Sequence, residues 1–137
     1  MMRVVLSKAD YDGIVDWAKK GLPNEACGLL GGTIDGDTKT VTKVYYLQNT
    51  DHSPEHFSMD VKEQFAVVKD LRKHGLVLIG NFHSHPNTPS RSSQEDIRLA
   101  FDPNLSYLIL SLAGPEPVLH SFHVAQGVST KEELVIQ

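Results

Sequence analysis

Two histidines separated by one residue, His83 and His85, end a predicted strand and carry the clearest chemical signal in the sequence. Because alternate residues of a strand point to the same side, both imidazoles can approach one metal ion. Pro86 follows directly and stops the hydrogen-bonding ladder, which frees the strand end to form the rim of a site. A His-x-His pair alone is a weak signal, so the metal hypothesis depends on finding further ligands.

The third candidate ligand is Asp96, eleven residues after His85 and in the first turn of a helix predicted to begin at Ser92. Two neutral imidazoles and one carboxylate leave a fourth position for water, which is the pattern of a catalytic zinc site. A structural zinc site fills all four positions, usually with thiolates, and this chain has one cysteine. The ligand types therefore favour a catalytic metal.

Hydrolysis at such a metal also needs a proton acceptor and a hydrogen-bond donor for the oxyanion. Glu25 is the candidate acceptor and precedes a short apolar strand. The sequence alone does not place it beside the histidines. Ser93, three residues before Asp96, is the available donor, and it competes with Ser92 for the role of helix N-cap.

The spacing of these residues resembles the JAMM (MPN-plus) motif, which is His-x-His, seven residues, Ser, two residues and Asp, with an upstream glutamate. The chain reads His-Ser-His-Pro at 83–86 and Ser-Gln-Glu-Asp at 93–96, with seven residues between His85 and Ser93. The segment EACGLLG at 25–31 resembles the upstream glutamate region. The resemblance implies zinc bound by His83, His85 and Asp96, Glu25 as general base, and Ser93 supporting the oxyanion.

The same resemblance implies a fold and a function. The fold would be an α+β domain of the cytidine-deaminase-like type, a three-layer α-β-α sandwich around a mixed sheet, spanning residues 1–137. The function would be that of a zinc metallopeptidase or isopeptidase that cleaves after the C-terminal Gly-Gly of a ubiquitin-like or sulfur-carrier protein, as some small stand-alone prokaryotic members do.

Two other functions remain open. Some domains of this fold are non-catalytic MPN-type interaction modules that lack the metal ligands. The intact ligand set of this chain argues against such a module. A nucleoside deaminase shares the architecture, but such enzymes commonly take cysteine ligands from a Pro-Cys-x-x-Cys segment, which this sequence lacks.

Several other residues invite a functional reading. Cys27 lies in a predicted buried strand, so we expect a small core residue and not a nucleophile. His52 and His56 lie in a polar loop that borders the predicted cleft or simply faces solvent. Trp17 is expected to pack against the core. His120 and His123 are three residues apart on a predicted strand, so they should face opposite sides and share no metal.

Composition restricts the remaining possibilities. The chain has 137 residues, a formal net charge of -4 and scattered basic residues, which gives no support for a nucleic-acid partner. No apolar run approaches the roughly 20 residues that span a bilayer. A lone cysteine favours a reducing compartment, so we expect a cytoplasmic protein. The oligomeric state is not predicted.

Hydrophobic periodicity and turn residues predict the elements that position these side chains. Two of the predicted helices have an apolar face: the first presents Tyr11, Ile14, Val15 and Ala18, and the second presents Val61, Phe65, Val68 and Leu71. A tight turn is expected at Gly31-Gly32, and a capping box at Asp60 and Glu63. The predicted strands are 3–6, 26–30, 38–47, 57–59, 76–82, 106–112, 118–124 and 134–136, and the helices are 8–20, 61–74 and 93–101.

Overall fold

The computed structural model describes residues 2–137, which form a mixed domain of strands and helices. The first helix begins after Ser7, whose hydroxyl accepts a hydrogen bond from the Asp10 amide, as the cap pattern predicts. The strands are β1 Arg3–Leu6, β2 Cys27–Asp35, β3 Thr38–Leu47, β4 Val77–His85, β5 Ser106–Ser111, β6 Val118–Ala125 and β7 Val128–Ile136. The helices are α1 Lys8–Gly21, α2 Val61–Lys73 and α3 Gln94–Leu99.

The seven strands form a closed barrel in the order β1-β3-β2-β4-β5-β6-β7. Closure depends on β1, which pairs in parallel with β3 on one side and with β7 on the other. β4 lies between antiparallel β2 and parallel β5. The expected α+β class is confirmed, but the strands close on themselves, so the three-layer sandwich stays a prediction.

Each helix contributes to a different apolar cluster. α1 contributes Ile14 and Ala18 to the largest apolar cluster, together with Phe82 of β4 and Leu108 of β5. α2 and α3 pack against other clusters, formed with β2 and with β5 and β6 respectively. Within the described residues, no helix is long and apolar enough to cross a membrane.

The expected turn at Gly31-Gly32 is wrong, because β2 continues through both glycines to Asp35 and the chain turns at Gly36. A Cβ on Gly31 would lie 2.1 Å from Leu71 Cδ2, and one on Gly32 would lie 1.9 Å from the Thr40 carbonyl oxygen. These glycines therefore allow the close approach of a helix and a strand, and β2 is irregular in register there.

The apolar face predicted for α2 is largely wrong. Val67 and Leu71 are the buried residues of this helix, whereas Val61, Phe65 and Val68 are exposed. Leu71 and Val67 are four residues apart and face β2, which turns the 61/65/68 stripe outward. The capping box is also absent at this helix, since the Asp60 side chain accepts from the Lys62 amide without a reciprocal bond from Glu63.

Two further expectations near the predicted cleft need correction. Residues 57–59 form no strand, and the loop from 48 to 60 is irregular throughout. The N-cap of α3 is Ser93 and not Ser92, whose hydroxyl instead pairs with Ser129. The last strand, β7, begins at Val128 and is longer than the predicted 134–136.

Candidate metal centre and active site

The carboxyl end of β4 presents two imidazoles on one side, as the strand period predicts. His83 and His85 are both buried, and their Nε2 atoms are 3.1 Å apart. The Nδ1 atom of His85 lies 2.9 Å from the Pro89 carbonyl oxygen. A proton on that Nδ1 would donate to the carbonyl and leave the Nε2 lone pair directed at the cluster.

Asp96 reaches both imidazoles from the first turn of α3. Its Oδ2 atom lies 3.3 Å from His83 Nε2 and 3.2 Å from His85 Nε2. The same oxygen accepts a hydrogen bond from the Ser93 amide at 2.9 Å, while the Ser93 hydroxyl accepts from the Asp96 amide. This capping box orients the carboxylate, so the N-terminus of the short helix fixes the third side chain of the group.

These three side chains could hold a metal ion. Ligand atoms about 2.0–2.1 Å from a tetrahedral zinc ion lie roughly 3.3 Å from one another. The separations of 3.1, 3.2 and 3.3 Å among the three atoms agree with that arrangement. Two imidazole nitrogens and a carboxylate are also the donor types of catalytic zinc sites, so the residues fit the metal.

Electrostatics within the group favour an ionised carboxylate. Burial alone would raise the pKa of Asp96, but its hydrogen bonds to His83 and His85 hold that pKa well below its usual range. Burial alone would lower the pKa of His85, but the bonds to Asp96 and to the Pro89 carbonyl raise it. A negative oxygen is therefore available at the point where both rings meet.

The pairing of β2 with β4 brings Glu25 to the same place. Cys27 is opposite His83 in this antiparallel pair, which puts the chain just before β2 beside the end of β4. The Ser84 amide donates to the Ala26 carbonyl at 2.9 Å, and the Ala26 amide donates to the Ser84 hydroxyl at 2.8 Å. Ser84, which lies between the two histidines, is therefore joined by two hydrogen bonds to Ala26, the residue after Glu25.

Glu25 is also fixed from the loop that follows β3. Its amide donates to the Ser53 carbonyl at 2.8 Å, and its carbonyl accepts from Asn49 Nδ2 at 3.0 Å. The Glu25 side chain borders a cleft of about 280 Å³ together with His85 and Ser93. The structure thus brings all five residues predicted from the motif to one site.

Burial raises the pKa of Glu25 to about 8, with a further rise from the nearby Asp96 carboxylate, while His85 opposes the shift. A divalent cation at the His-His-Asp group would favour the carboxylate form and lower this pKa. The Glu25 carboxyl is consequently poised to exchange a proton near neutral pH.

Ser93 can serve as helix cap and as donor at once. Its hydroxyl oxygen accepts the Asp96 amide proton, which leaves the hydroxyl hydrogen free to donate into the cleft. Capping α3 and donating into the cleft are therefore compatible roles for this hydroxyl.

The other candidates fall outside the ligand group. Cys27 is fully buried, and burial raises the pKa of its thiol to about 12, which suits a core residue. His56 Nδ1 lies 2.6 Å from a Glu95 carboxylate oxygen. His52 borders a second pocket, which shares Glu25 with the cleft and also contains Trp17, whose indole donates to the Cys27 carbonyl. Substrate contact by either loop histidine stays a prediction.

Three residues that support the site escaped the sequence analysis. Phe57 lies in the irregular loop and not in the predicted strand, and it stacks on the His83 ring with centroids 4.6 Å apart. Asn49 is buried and holds the loop from 49 to 58 through bonds to several backbone groups. Ser84 is buried between the ligands. A polar residue between two strand histidines was the available signal for Ser84; Asn49 had none beyond its place in a polar loop.

Fold and site together define an α+β domain in which the fourth strand and the third helix form a two-histidine, one-carboxylate group. The chain belongs to the family described as prokaryotic homologs of the JAB domain, whose model matches residues 7–124. The resemblance drawn from the motif is thereby confirmed.

Relatives and solved structures agree with this family. A CysO-cysteine peptidase of Mycobacterium tuberculosis is 29% identical over 131 residues, covering 94% of this chain and 88% of that protein. A desampylase of Haloferax volcanii is 31% identical over 117 residues, covering 82% of this chain and 83% of that protein. A solution structure from Desulfitobacterium hafniense has a TM-score of 0.90 and 55% identity, covering 98% and 92% of the two chains.

A more distant structure supports the fold alone. The JAB1/MPN domain protein from Archaeoglobus fulgidus superposes with a TM-score of 0.61 at 20% identity, covering 100% of this chain and 97% of that one.

The names of the two curated relatives denote hydrolytic enzymes, which supports hydrolysis as the general activity of this chain.

Proposed function

We propose that this protein is a zinc-dependent peptidase or isopeptidase that hydrolyses the bond after the C-terminal Gly-Gly of a ubiquitin-like or sulfur-carrier protein. The observation that carries the proposal is the convergence of His83 Nε2, His85 Nε2 and Asp96 Oδ2 within 3.1–3.3 Å, beside the buried Glu25 carboxyl. His83, His85 and Asp96 are the proposed zinc ligands.

The chemistry divides among these residues. Zinc, when bound, supplies Lewis-acid polarisation of the scissile carbonyl and of the attacking water. Glu25 takes a proton from that water as its oxygen bonds to the carbonyl carbon, and gives the proton to the amine nitrogen as the C–N bond breaks. The Ser93 hydroxyl donates to the carbonyl oxygen as it gains negative charge.

The substrate class is inferred from the relatives and from the site. One relative is named for a CysO-cysteine substrate and another is a desampylase, and both match most of this chain. The cleft beside Glu25 is polar at its rim, with Glu55, Asn87 and Thr88 around it. Backbone amides of an extended Gly-Gly tail suit such a rim because they need hydrogen-bond partners and present no side chains.

The test uses a ubiquitin-like protein that ends in Gly-Gly and is extended by a short peptide. Wild type should contain about one zinc per chain and cleave after the second glycine. Glu25→Gln should keep the zinc and lose turnover by about 10²–10⁴-fold, the usual contribution of a general base. Glu95→Gln is the matched control, since it removes a neighbouring carboxylate that pairs with His56 and should keep near wild-type turnover.

The outcome separates this function from the alternative of a non-catalytic interaction module. Wild-type turnover in Glu25→Gln would refute the assigned base. Protein that takes up no zinc and cleaves nothing would favour the interaction module.

A further inference from the structure

A small cavity lies beside the His-His-Asp group and shares no lining residue with the Glu25 cleft. Its volume is about 60 Å³, and its walls come from β4, β5, β6 and α3 and from Phe57 of the loop. The walls are mostly apolar, including Leu99, Ile109 and Val124. Asn81 and His83 also line it, together with the polar residues Ser92, Asp96 and Tyr107.

Both of these side chains have an unpaired buried atom. Among the described residues, Asn81 Oδ1 and His83 Nδ1 are the buried side-chain nitrogen and oxygen atoms that have no hydrogen-bond partner. Leaving such a group unpaired costs about 1–3 kcal/mol, so native proteins rarely do so. Their occurrence in the walls of one cavity indicates a shared partner.

The geometry suits a single bridging water. Asn81 and His83 are two residues apart on β4, so their side chains leave the same side of the strand roughly 6.6 Å apart. The cavity exceeds the roughly 10–15 Å³ that one water needs. A water there can accept from His83 Nδ1–H and donate to Asn81 Oδ1.

The second histidine has the kind of hydrogen-bond partner that His83 lacks. The Nδ1 atom of His85 already lies 2.9 Å from the Pro89 carbonyl, which orients that ring. Metal-bound histidines almost always donate their other ring N–H to such an acceptor, which fixes the ring and raises its basicity. His83 lacks an acceptor of its own, and Asn81 Oδ1 is the unpaired acceptor in the same cavity.

We propose that Asn81 is a positioning residue for the metal centre: its side-chain oxygen accepts, through one water held in this cavity, the Nδ1 proton of His83. This inference rests on the proposed zinc site. It assigns to Asn81 a contribution to zinc affinity that is separate from any step of hydrolysis.

The experiment measures zinc affinity by chelator competition, without substrate. Asn81→Leu removes the acceptor and fills the cavity, and should weaken zinc binding about 10–100-fold, the usual effect of losing such a partner. Asn81→Asp keeps an oxygen acceptor of the same shape and should bind zinc close to wild type. Ile109→Val lines the same cavity without a polar atom and serves as the matched control, with unchanged affinity.

A second readout separates positioning from general damage. In the zinc-loaded wild type, the His83 Nδ1 proton should give a slowly exchanging NMR resonance, which Asn81→Asp keeps and Asn81→Leu loses. Thermal unfolding of the metal-free variants checks that both fold. Wild-type zinc affinity and an unchanged His83 resonance in Asn81→Leu would overturn the inference while leaving the proposed function intact; a wild-type protein that binds no zinc would overturn both.

Discussion

Removing the hydroxyl of Ser84 should damage the site without touching a ligand. Ser84 is 1% exposed and lies between the two histidines. Its Oγ accepts a hydrogen bond from the amide of Ala26 at 2.8 Å, and Ala26 directly follows Glu25 in the chain. In Ser84→Ala, that buried amide loses its partner, while the bond from the Ser84 amide to the Ala26 carbonyl remains.

The magnitude follows from the burial of the amide. An unsatisfied buried N–H costs about 1–3 kcal/mol of stability. For a chain of this length, that corresponds to a fall in Tm of about 4 °C per kcal/mol, or roughly 4–12 °C. The same loss loosens Glu25, and a misplacement of about 1 Å can cost roughly 10²-fold in rate. We therefore expect kcat to fall by about 10–100-fold while zinc content stays at the wild-type level.

The assay pairs thermal unfolding with turnover of the Gly-Gly-extended substrate. Ser121→Ala is the matched control, because Ser121 is a fully buried serine that donates to Glu132 between β6 and β7, strands that contain none of the five site residues. It should lower Tm by a comparable amount and leave kcat unchanged. Ser84→Ala with full kcat and wild-type Tm would refute the claim that this hydroxyl holds Glu25 in place.

Two further predictions concern titratable groups outside the ligand set. Since burial raises the pKa of Cys27 to about 12, native protein should resist alkylation by iodoacetamide at pH 8 and Cys27→Ala should keep its turnover; alkylation that abolishes hydrolysis would contradict this. Hydrogen bonds from Lys43 and Tyr45 lower the pKa of Asp70 from 3.8 to about 2, so their stabilising effect is present above pH 3.8 and is lost as the pH falls towards 2. Asp70→Asn should therefore show a smaller decline in Tm over that interval, and an identical decline would exclude the pair as its source.

Much of the fold could be predicted because local signals determine it. Ser7 caps α1, an enrichment in Thr, Val and Tyr marks β3, and Gly75 ends α2 in a left-handed conformation. The errors arise where contacts with a distant part of the chain determine the local structure. Gly31-Gly32 has the composition of a turn, but the two glycines are needed inside β2 because Leu71 and Thr40 approach them closely.

The helix α2 illustrates the same limit. Its apolar residues are numerous enough to form more than one stripe, and periodicity alone does not say which stripe contacts the barrel. The contact of Leu71 with β2 selects the stripe that also holds Val67. Phe65 is then left 66% exposed, although it is the largest apolar side chain of the helix.

The ligand group could be predicted because each of its constraints is local. A strand period brings His83 and His85 to one side, and a capping box turns Asp96 towards them within the next helix. No such local feature of the sequence places Glu25 at the site. It lies 58 residues before His83 and is brought to the cleft by the register that sets Cys27 against His83, together with hydrogen bonds from the loop after β3. The proposed metal ligands are therefore encoded by spacing and the proposed base by tertiary pairing, which is why we expect a substitution at Ser84 to separate catalysis from metal binding.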